Sequence, residues 1–360
     1  MKVAAVQAEP AWFDLDGGVD KVIALAKEAS SNGAQLIGLP EAFIPGYPMR
    51  TWSGAFDPVF FTKYLKSCLS VKSPQYQKLL KGIKEANIWA VVGFVERDGE
   101  SMYCAQSIIN PFGEVVLHRR KLKATGHERT FWGDGPGKSL QVEITALSFS
   151  DNLARSGIIA DSLKTSVKGP EGAIIGCFNC WEHLQPLLRF HHYAQGVQIH
   201  VASWPFADPV ATGYPPQLTG YPSQFSSDFQ VTATKYMAME GPLFVISSTQ
   251  VIKPENAALC GTLGTPFDAK EGGGFAAIYG PDGRDLVQTL PAMEEGILYA
   301  DIDLDDLLTA KLMVDPVGHY SRPDLLSLHI NTPINPLVRQ HGKKEEEYSL
   351  LSKIPQLVDD

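Results

Sequence analysis

Positive charge is what this sequence is short of: 31 Lys and Arg stand against 40 Asp and Glu, a formal net charge of −9. No Lys/Arg stripe offers the footprint that a phosphate backbone needs, so no nucleic-acid partner is expected. Long apolar runs are also missing. No stretch approaches the roughly eighteen charge-free residues of a membrane span, and "MKVAAVQAEPAWF" has neither the apolar h-region nor the small-residue cleavage site of a secretory leader. Together these absences predict a cytoplasmic protein without membrane contact. Cysteines are few: Cys68, Cys104, Cys177, Cys180 and Cys260 form an odd, scattered set rather than a disulfide framework, so reduced thiols are expected.

What is present is an ordinary globular composition, 44% hydrophobic and 20% charged, sufficient for a large core. Strand and helix signals alternate. "KVAAVQ" (2–7) predicts a strand, residues 18–33 place Val19, Val22, Ile23, Ala26 and Ala29 at helical spacing up to Gly33, and "AQLIGLPEAF" (34–43) predicts a buried strand halted by Pro40. Residues 55–87 read as helical; 89–97, 102–111 and 114–121 read as strands joined by "DGES" and "PFGE" turns. A second series follows: a strand at 172–179, a helix at 181–196 despite Pro186, strands at 197–205 and 242–249 flanking a helix near 224–240, and hairpin strands at 273–291 and 296–303. The repeated order predicts two similar halves facing each other in an α/β sandwich. The charged run "GKKEEEY" (342–348) is expected to be a solvated tail.

The stretch "GCFNCWEH" (176–183) concentrates reactive groups. Cys177, Cys180 and His183 have a C-x2-C-x2-H spacing, but no second ligand pair stands nearby to complete a structural zinc site. A C-x-x-C redox pair is disfavoured because Cys177 falls inside the apolar strand, where it is expected in the core. Cys180 sits on the strand-to-helix turn, and from position alone core packing and nucleophilic attack both stay open. A thiol with an ordinary pKa near 8.5 needs a base or a cation beside it to attack at neutral pH. No histidine stands out among His118, His127, His183 and His200. Strand ends do place Glu41, Lys121 and Cys180 comparably, and sheets of this class build their sites at such ends. That gives a base, an electrostatic stabiliser and a nucleophile. Each has a plainer reading: Glu41 as a solvent-facing carboxylate, Lys121 or Lys123 as surface lysines.

Six segments in order, "LPEAFIPGYP" (39–48), "HRRKLKATGHERTFWGDG" (118–135), "NCWEHLQPL" (179–187), "HVASWP" (200–205), "EGPLFVISSTQ" (240–250) and "DPVGHYSRPD" (315–324), resemble the signature segments of the nitrilase family across residues 2 to 330. The resemblance implies an αββα sandwich of two pseudo-repeated halves, pairing into homodimers and often larger spirals. It implies a C–N hydrolase domain over 1–310 and a C-terminal extension over 311–360 for assembly contacts and the tail. It makes Glu41 the general base, Lys121 the catalytic lysine, Cys180 the nucleophile and Glu128 a second, supporting glutamate. The backbone N–H of Trp181 would complete an oxyanion-type hole. Tyr47, Trp52, Trp204 and Pro205 would be pocket walls, with aromatic core packing as the rival account of each. Lys123 competes for the lysine role, but Lys121 directly follows Arg119–Arg120 as the family's arrangement requires. No metal or organic cofactor is implied, and the expected substrate is an organic nitrile hydrolysed to acid and ammonia. Cyanide hydration, amide or carbamoyl hydrolysis, or a silent scaffold member are the alternatives. Two departures stand out: 146–170 looks inserted, as a surface loop or else a lid or subunit contact, and Ala124 replaces a frequent proline.

Overall fold

Strict alternation sorts the side chains of the first strand to two sides: Val3 and Ala5 join one apolar cluster, Ala4, Val6 and Ala8 another. A strand hydrophobic on both sides must be covered on both, and this requirement organises the molecule. The computed structural model describes residues 1–53, 57–136, 161–207, 224, 226–263 and 272–331. Among them the first half runs β1 (Lys2–Ala8), α1 (Leu15–Ser31), β2 (Leu36–Gly38), α2 (Pro58–Ser67), α3 (Pro74–Ala86), β3 (Trp89–Asp98), β4 (Ser101–Ile109) and β5 (Val115–Arg120). After β6 (Ser166–Lys168), the second half repeats the order: β7 (Ile174–Asn179), α4 (Pro186–Ala194), β8 (Ile199–Trp204), α5 (Ser227–Glu240), β9 (Phe244–Gln250), α6 (Ala257–Cys260), β10 (Ala277–Tyr279) and β11 (Gly296–Asp301), with α7 (Asp306–Met313) beyond.

The strands form one sheet in the order β5-β4-β3-β2-β1-β9-β8-β7-β6, with β10 on β9 and β11 on β1. β1 meets β9 at only two parallel pairs, Gln7 with Thr249 and Ala8 with Gln250, while β11 of the second half pairs antiparallel with β1 from Lys2 to Gln7. The sheet folds over on itself there. Val3, Ala5, Leu36 and Val91 from one half meet Ile175, Cys177, Val201 and Ile246 from the other. The opposite faces pack on helices: Ala4, Ile37 and Val92 against Val22, Ala26 and Ile83, and Phe178, Ala202 and Val245 against Tyr193, Met237 and Ala238. The result is the expected αββα sandwich with two repeated halves.

Local signals set the helix starts. The Asp14 carboxylate accepts from Gly17 N at 3.0 Å, and Ser73 Oγ accepts from Tyr76 N at 3.2 Å ahead of Pro74. The helix expected over 181–196 is two pieces. Cys180–Leu184 is a 3-10 turn, and Pro186 begins α4 rather than interrupting it, because the first helical turn has no use for the missing N–H. The hairpin expected over 273–291 is short. Only Ala277–Tyr279 pairs regularly, with a bridge from Tyr279 to Asp285 around the Gly280–Gly283 turn, after which Leu286 and Leu290 turn to pack on the inter-sheet core. Most of the 146–170 segment, and the 342–348 run, lie outside the described residues; 161–170 include β6, which pairs antiparallel with β7.

Three chain turns carry the fold to its site. Leu39 N still donates to Val91 O, at 2.9 Å, before Pro40 ends β2 and delivers Glu41. Gly93 on β3 lies beneath that turn, and a Cβ there would stand 2.2 Å from Pro40 O. Glycine is required by this close approach. Lys121 directly follows β5, and Cys180 directly follows β7. No described helix is long and apolar enough to cross a membrane.

Candidate active site

Glu41, Lys121, Glu128 and Cys180 meet at these strand ends, and all four are buried. The Lys121 Nζ lies 2.8 Å from Glu41 Oε1 and 3.0 Å from Glu128 Oε2. Glu128 is oriented by further donors: Thr125 N reaches Oε2 at 2.7 Å, and the Tyr47 hydroxyl reaches Oε1 at 2.5 Å. Trp52 Nε1 in turn donates to the Tyr47 oxygen at 3.1 Å. Lys123, the rival lysine, points outward and pairs with Asp134 at 2.6 Å, its side chain 60% exposed.

Glu41 is held from both halves. Its N–H donates to Trp204 O at 3.3 Å, and its carbonyl accepts from Gln250 Nε2 at 2.5 Å. The carboxylate is divided in use. Oε1 accepts from Lys121 and from the Cys104 thiol at 3.2 Å, whereas Oε2 is buried with no hydrogen-bond partner among the described residues. Burial drives the Glu41 pKa up, the Lys121 charge pulls it back and Glu128 raises it again, leaving it at about 7. Lys121 resists its own burial because Glu128 and Glu41 hold the ammonium well above its usual range.

Cys180 carries a backbone φ of +44°, in the left-handed region that a side chain seldom adopts. Burial and the Glu41 charge push its thiol well above the ordinary cysteine range, against an opposing pull from Lys121 and a hydrogen bond from the Trp181 N–H. No thiolate is stored here. Attack by this sulfur would need a base to take its proton.

A cleft opens over the thiol, lined by Tyr47, Met49, Trp52, Trp181, Pro205 and Phe206 on its apolar side and by Thr125, Glu128 and Gln230 on its polar side. Tyr47, Trp52, Trp181 and Pro205 thus border this cleft. Trp204 does not. The alternation of β8 turns it to the helix layer, fully buried and stacked on the His183 ring at 4.8 Å, so only its carbonyl serves the site.

The metal-like spacing of Cys177, Cys180 and His183 also separates in space. Cys177 faces the inter-sheet core, and both His183 nitrogens are engaged elsewhere. His183 Nδ1 donates to Cys180 O at 2.5 Å, which leaves Nε2 to accept from His200 Nε2 at 2.9 Å. His200 Nδ1 then accepts from His192 Nε2 at 2.9 Å, and His192 Nδ1 accepts from the Thr165 hydroxyl at 2.6 Å. The carbonyl at one end can only accept, so the direction of every bond in the chain is fixed. Burial lowers all three histidines, His183 to about 4 and the other two well below their usual value, and keeps them neutral.

A second buried network ties the Lys121 end to the Cys180 end. Arg119 holds Glu182 through two bonds of 2.7 and 2.6 Å, and the same carboxylate accepts from Leu122 N at 2.9 Å and Asn179 N at 3.0 Å. The chain neighbours of Lys121 and Cys180 are thus fixed to one charge pair.

Residues 2–311 match the family model described as carbon-nitrogen hydrolase. A nitrilase of Talaromyces marneffei is 41% identical over 341 residues, covering 93% of this chain and 96% of that protein. An aliphatic nitrilase of Rhodococcus rhodochrous is 42% identical over 342 residues, covering 93% of this chain and 84% of that protein. Among solved structures, an amidase from Nesterenkonia AN1, of the nitrilase superfamily, superposes with a TM-score of 0.54 at 17% identity, covering 87% of this chain and 96% of the other. That likeness is one of fold.

Proposed function

The chain belongs to the carbon–nitrogen hydrolase family and is a nitrile-hydrolysing enzyme; we propose that it acts through a covalent intermediate on Cys180, with Glu41 as base, Lys121 as stabiliser of charge on nitrogen, and Glu128 in support. The observation that carries this reading is a buried Glu41 carboxylate with an ammonium on one oxygen and no hydrogen-bond partner among the described residues on the other, whose charge helps keep the Cys180 thiol protonated.

In the first step the Cys180 sulfur bonds to the nitrile carbon. Glu41 takes the thiol proton, and that proton passes to the nitrogen to give a thioimidate. Lys121 keeps its own proton and meets the charge growing on nitrogen, a contribution of about 2–4 kcal/mol by comparison with a single oxyanion-hole donor. Water then adds at the same carbon, losing a proton to Glu41. The tetrahedral species expels ammonia and leaves a thioester, which a second water cleaves to the carboxylic acid and the free thiol. A carboxyl group with a pKa of about 7 can both accept and return protons at neutral pH, as these alternating steps need. The Trp181 N–H, beside the thiol, is the backbone donor for the oxyanion of the later steps.

Expulsion of sulfur in place of nitrogen from the tetrahedral species would give an amide. The test is therefore ammonia and amide release from aromatic, arylacetic and aliphatic nitriles and cyanide, by wild type and Cys180→Ala. Acid and ammonia that vanish in the variant support the reading, and turnover that persists in it overturns the role of Cys180.

Assembly into a homodimer or larger spiral is part of the same proposal. Exposed apolar side chains at Leu187 on α4, Leu312 and Met313 on α7, and Leu326 support it. A cytoplasmic setting is supported by five cysteines that are all buried and unpaired.

A further inference from the structure

Cys104 is a buried thiol that the reaction above does not use. It lies on β4 opposite Val95 of β3, and its carbonyl accepts from Lys121 N at 2.7 Å, so it stands beside the residue that supplies the ammonium. A buried cysteine ordinarily serves as a small apolar filler. Cys68, for comparison, gives its S–H to the Tyr64 carbonyl of its own helix. Cys104 instead places Sγ 3.2 Å from Glu41 Oε1. Burial and the charge of Glu41 keep this thiol protonated, so sulfur is the donor and the carboxylate oxygen accepts. Cys104 is not a cleft-lining residue, whereas Cys180 is.

We propose that Cys104 is a positioning residue for the base: its S–H and the Lys121 ammonium together occupy Glu41 Oε1, leaving Oε2 as the oxygen that receives the proton of the Cys180 thiol and then of water. The two donors act on one oxygen for a geometric reason. They come from neighbouring positions where β4 and β5 end their pairing, and both side chains rise towards the turn that carries Glu41. A carboxylate with two donors on one oxygen cannot rotate about its Cγ–Cδ bond without breaking both contacts, so the free oxygen keeps one direction.

The proposal rests on Glu41 being the base, and its test separates the two. The groups facing Glu41 are Lys121 from the end of β5, Glu128 from the following turn, Cys104 from β4, Tyr47 from its own loop and Cys180 from the β7 turn. The pH dependence of kcat/KM on a turned-over nitrile is measured for wild type, Cys104→Ser, Cys104→Ala and Cys104→Val. A donor to a carboxylate favours its ionised form. Loss of the donor in Ala and Val should move the acid limb up by about half a pH unit or more, and the stronger hydroxyl donor of Ser should leave it in place or move it down. Serine should also retain more of kcat than valine, with KM little changed in both. Valine fills the space without donating, so a limb restored by valine, or one identical in all four proteins, overturns the proposal and leaves Cys104 as filler. Glu41→Gln is the separate control: retained turnover there removes the base assignment itself.

Discussion

The Lys121 ammonium sits 2.8 Å from one oxygen of Glu41 while the other oxygen of that carboxylate is buried without a hydrogen-bond partner among the described residues. On the proposed mechanism one residue therefore has two jobs on two atoms: holding a cation and taking a proton. Replacing Lys121 by methionine should lower kcat/KM by about two to four powers of ten, since the nitrogen loses its stabiliser and an adjacent carboxylate pair loses its counter-charge. The same change removes the group that pulls Glu41 down. Its acid limb should move above pH 7, which a rate profile reads directly.

In wild type that limb should lie near pH 7, because only the ionised carboxylate accepts the thiol proton and Glu41 titrates at about 7. Activity rises with pH through this value. A profile of kcat/KM that stays flat from pH 5 to 8 would contradict the assignment.

Gly93 should not tolerate a methyl group. A Cβ 2.2 Å from Pro40 O must displace the turn carrying Glu41, at a cost of about 1–3 kcal/mol in stability and a larger fractional loss in turnover. Urea midpoints and kcat for Gly93→Ala measure the two effects separately.

The Arg119–Glu182 pair is buried on both sides. Truncating one partner leaves an uncompensated charge, so Arg119→Met or Glu182→Met should each cost about 3–5 kcal/mol, with the double variant less damaged than the sum. A double-mutant cycle in urea measures the coupling. Strict additivity would refute it.

Acid should destabilise the protein through its histidines. His183, His192 and His200 are neutral when folded, with His183 at about 4, while unfolded histidine titrates near 6.5. A depressed folded pKa contributes stability that is present above the unfolded value and is lost as pH falls from about 6.5 towards 4. His192→Gln removes one of these titrations, and its urea midpoint should fall less steeply over that window than that of wild type.

Strand ends were legible in the sequence because Pro40, the charges that close 114–121 and the cysteine turn each interrupt an apolar run. Glu41, Lys121 and Cys180 follow those ends. What joined them was not legible. The contact of Cys104 with Glu41 spans 63 positions and that of Arg119 with Glu182 also 63, set by which strands become neighbours rather than by local pattern. Trp204 illustrates the second limit. An aromatic at a strand end borders either the cleft or the core, and the parity of β8, fixed only by its pairing with β7 and β9, puts it in the core. The histidines were visible singly, yet their chain depends on a helix packing its His192 over the strand that carries His200.

The narrow seam between β1 and β9 divides the chemistry as well as the sheet. Glu41 and Lys121 belong to the N-terminal half, Cys180 to the C-terminal half, and Gln250 reaches across to hold the Glu41 carbonyl. On the proposed mechanism neither half carries a working set by itself. Turnover is consequently a gauge of how well the two sheets are seated, sensitive to a slip between them too small to disturb the circular dichroism of either.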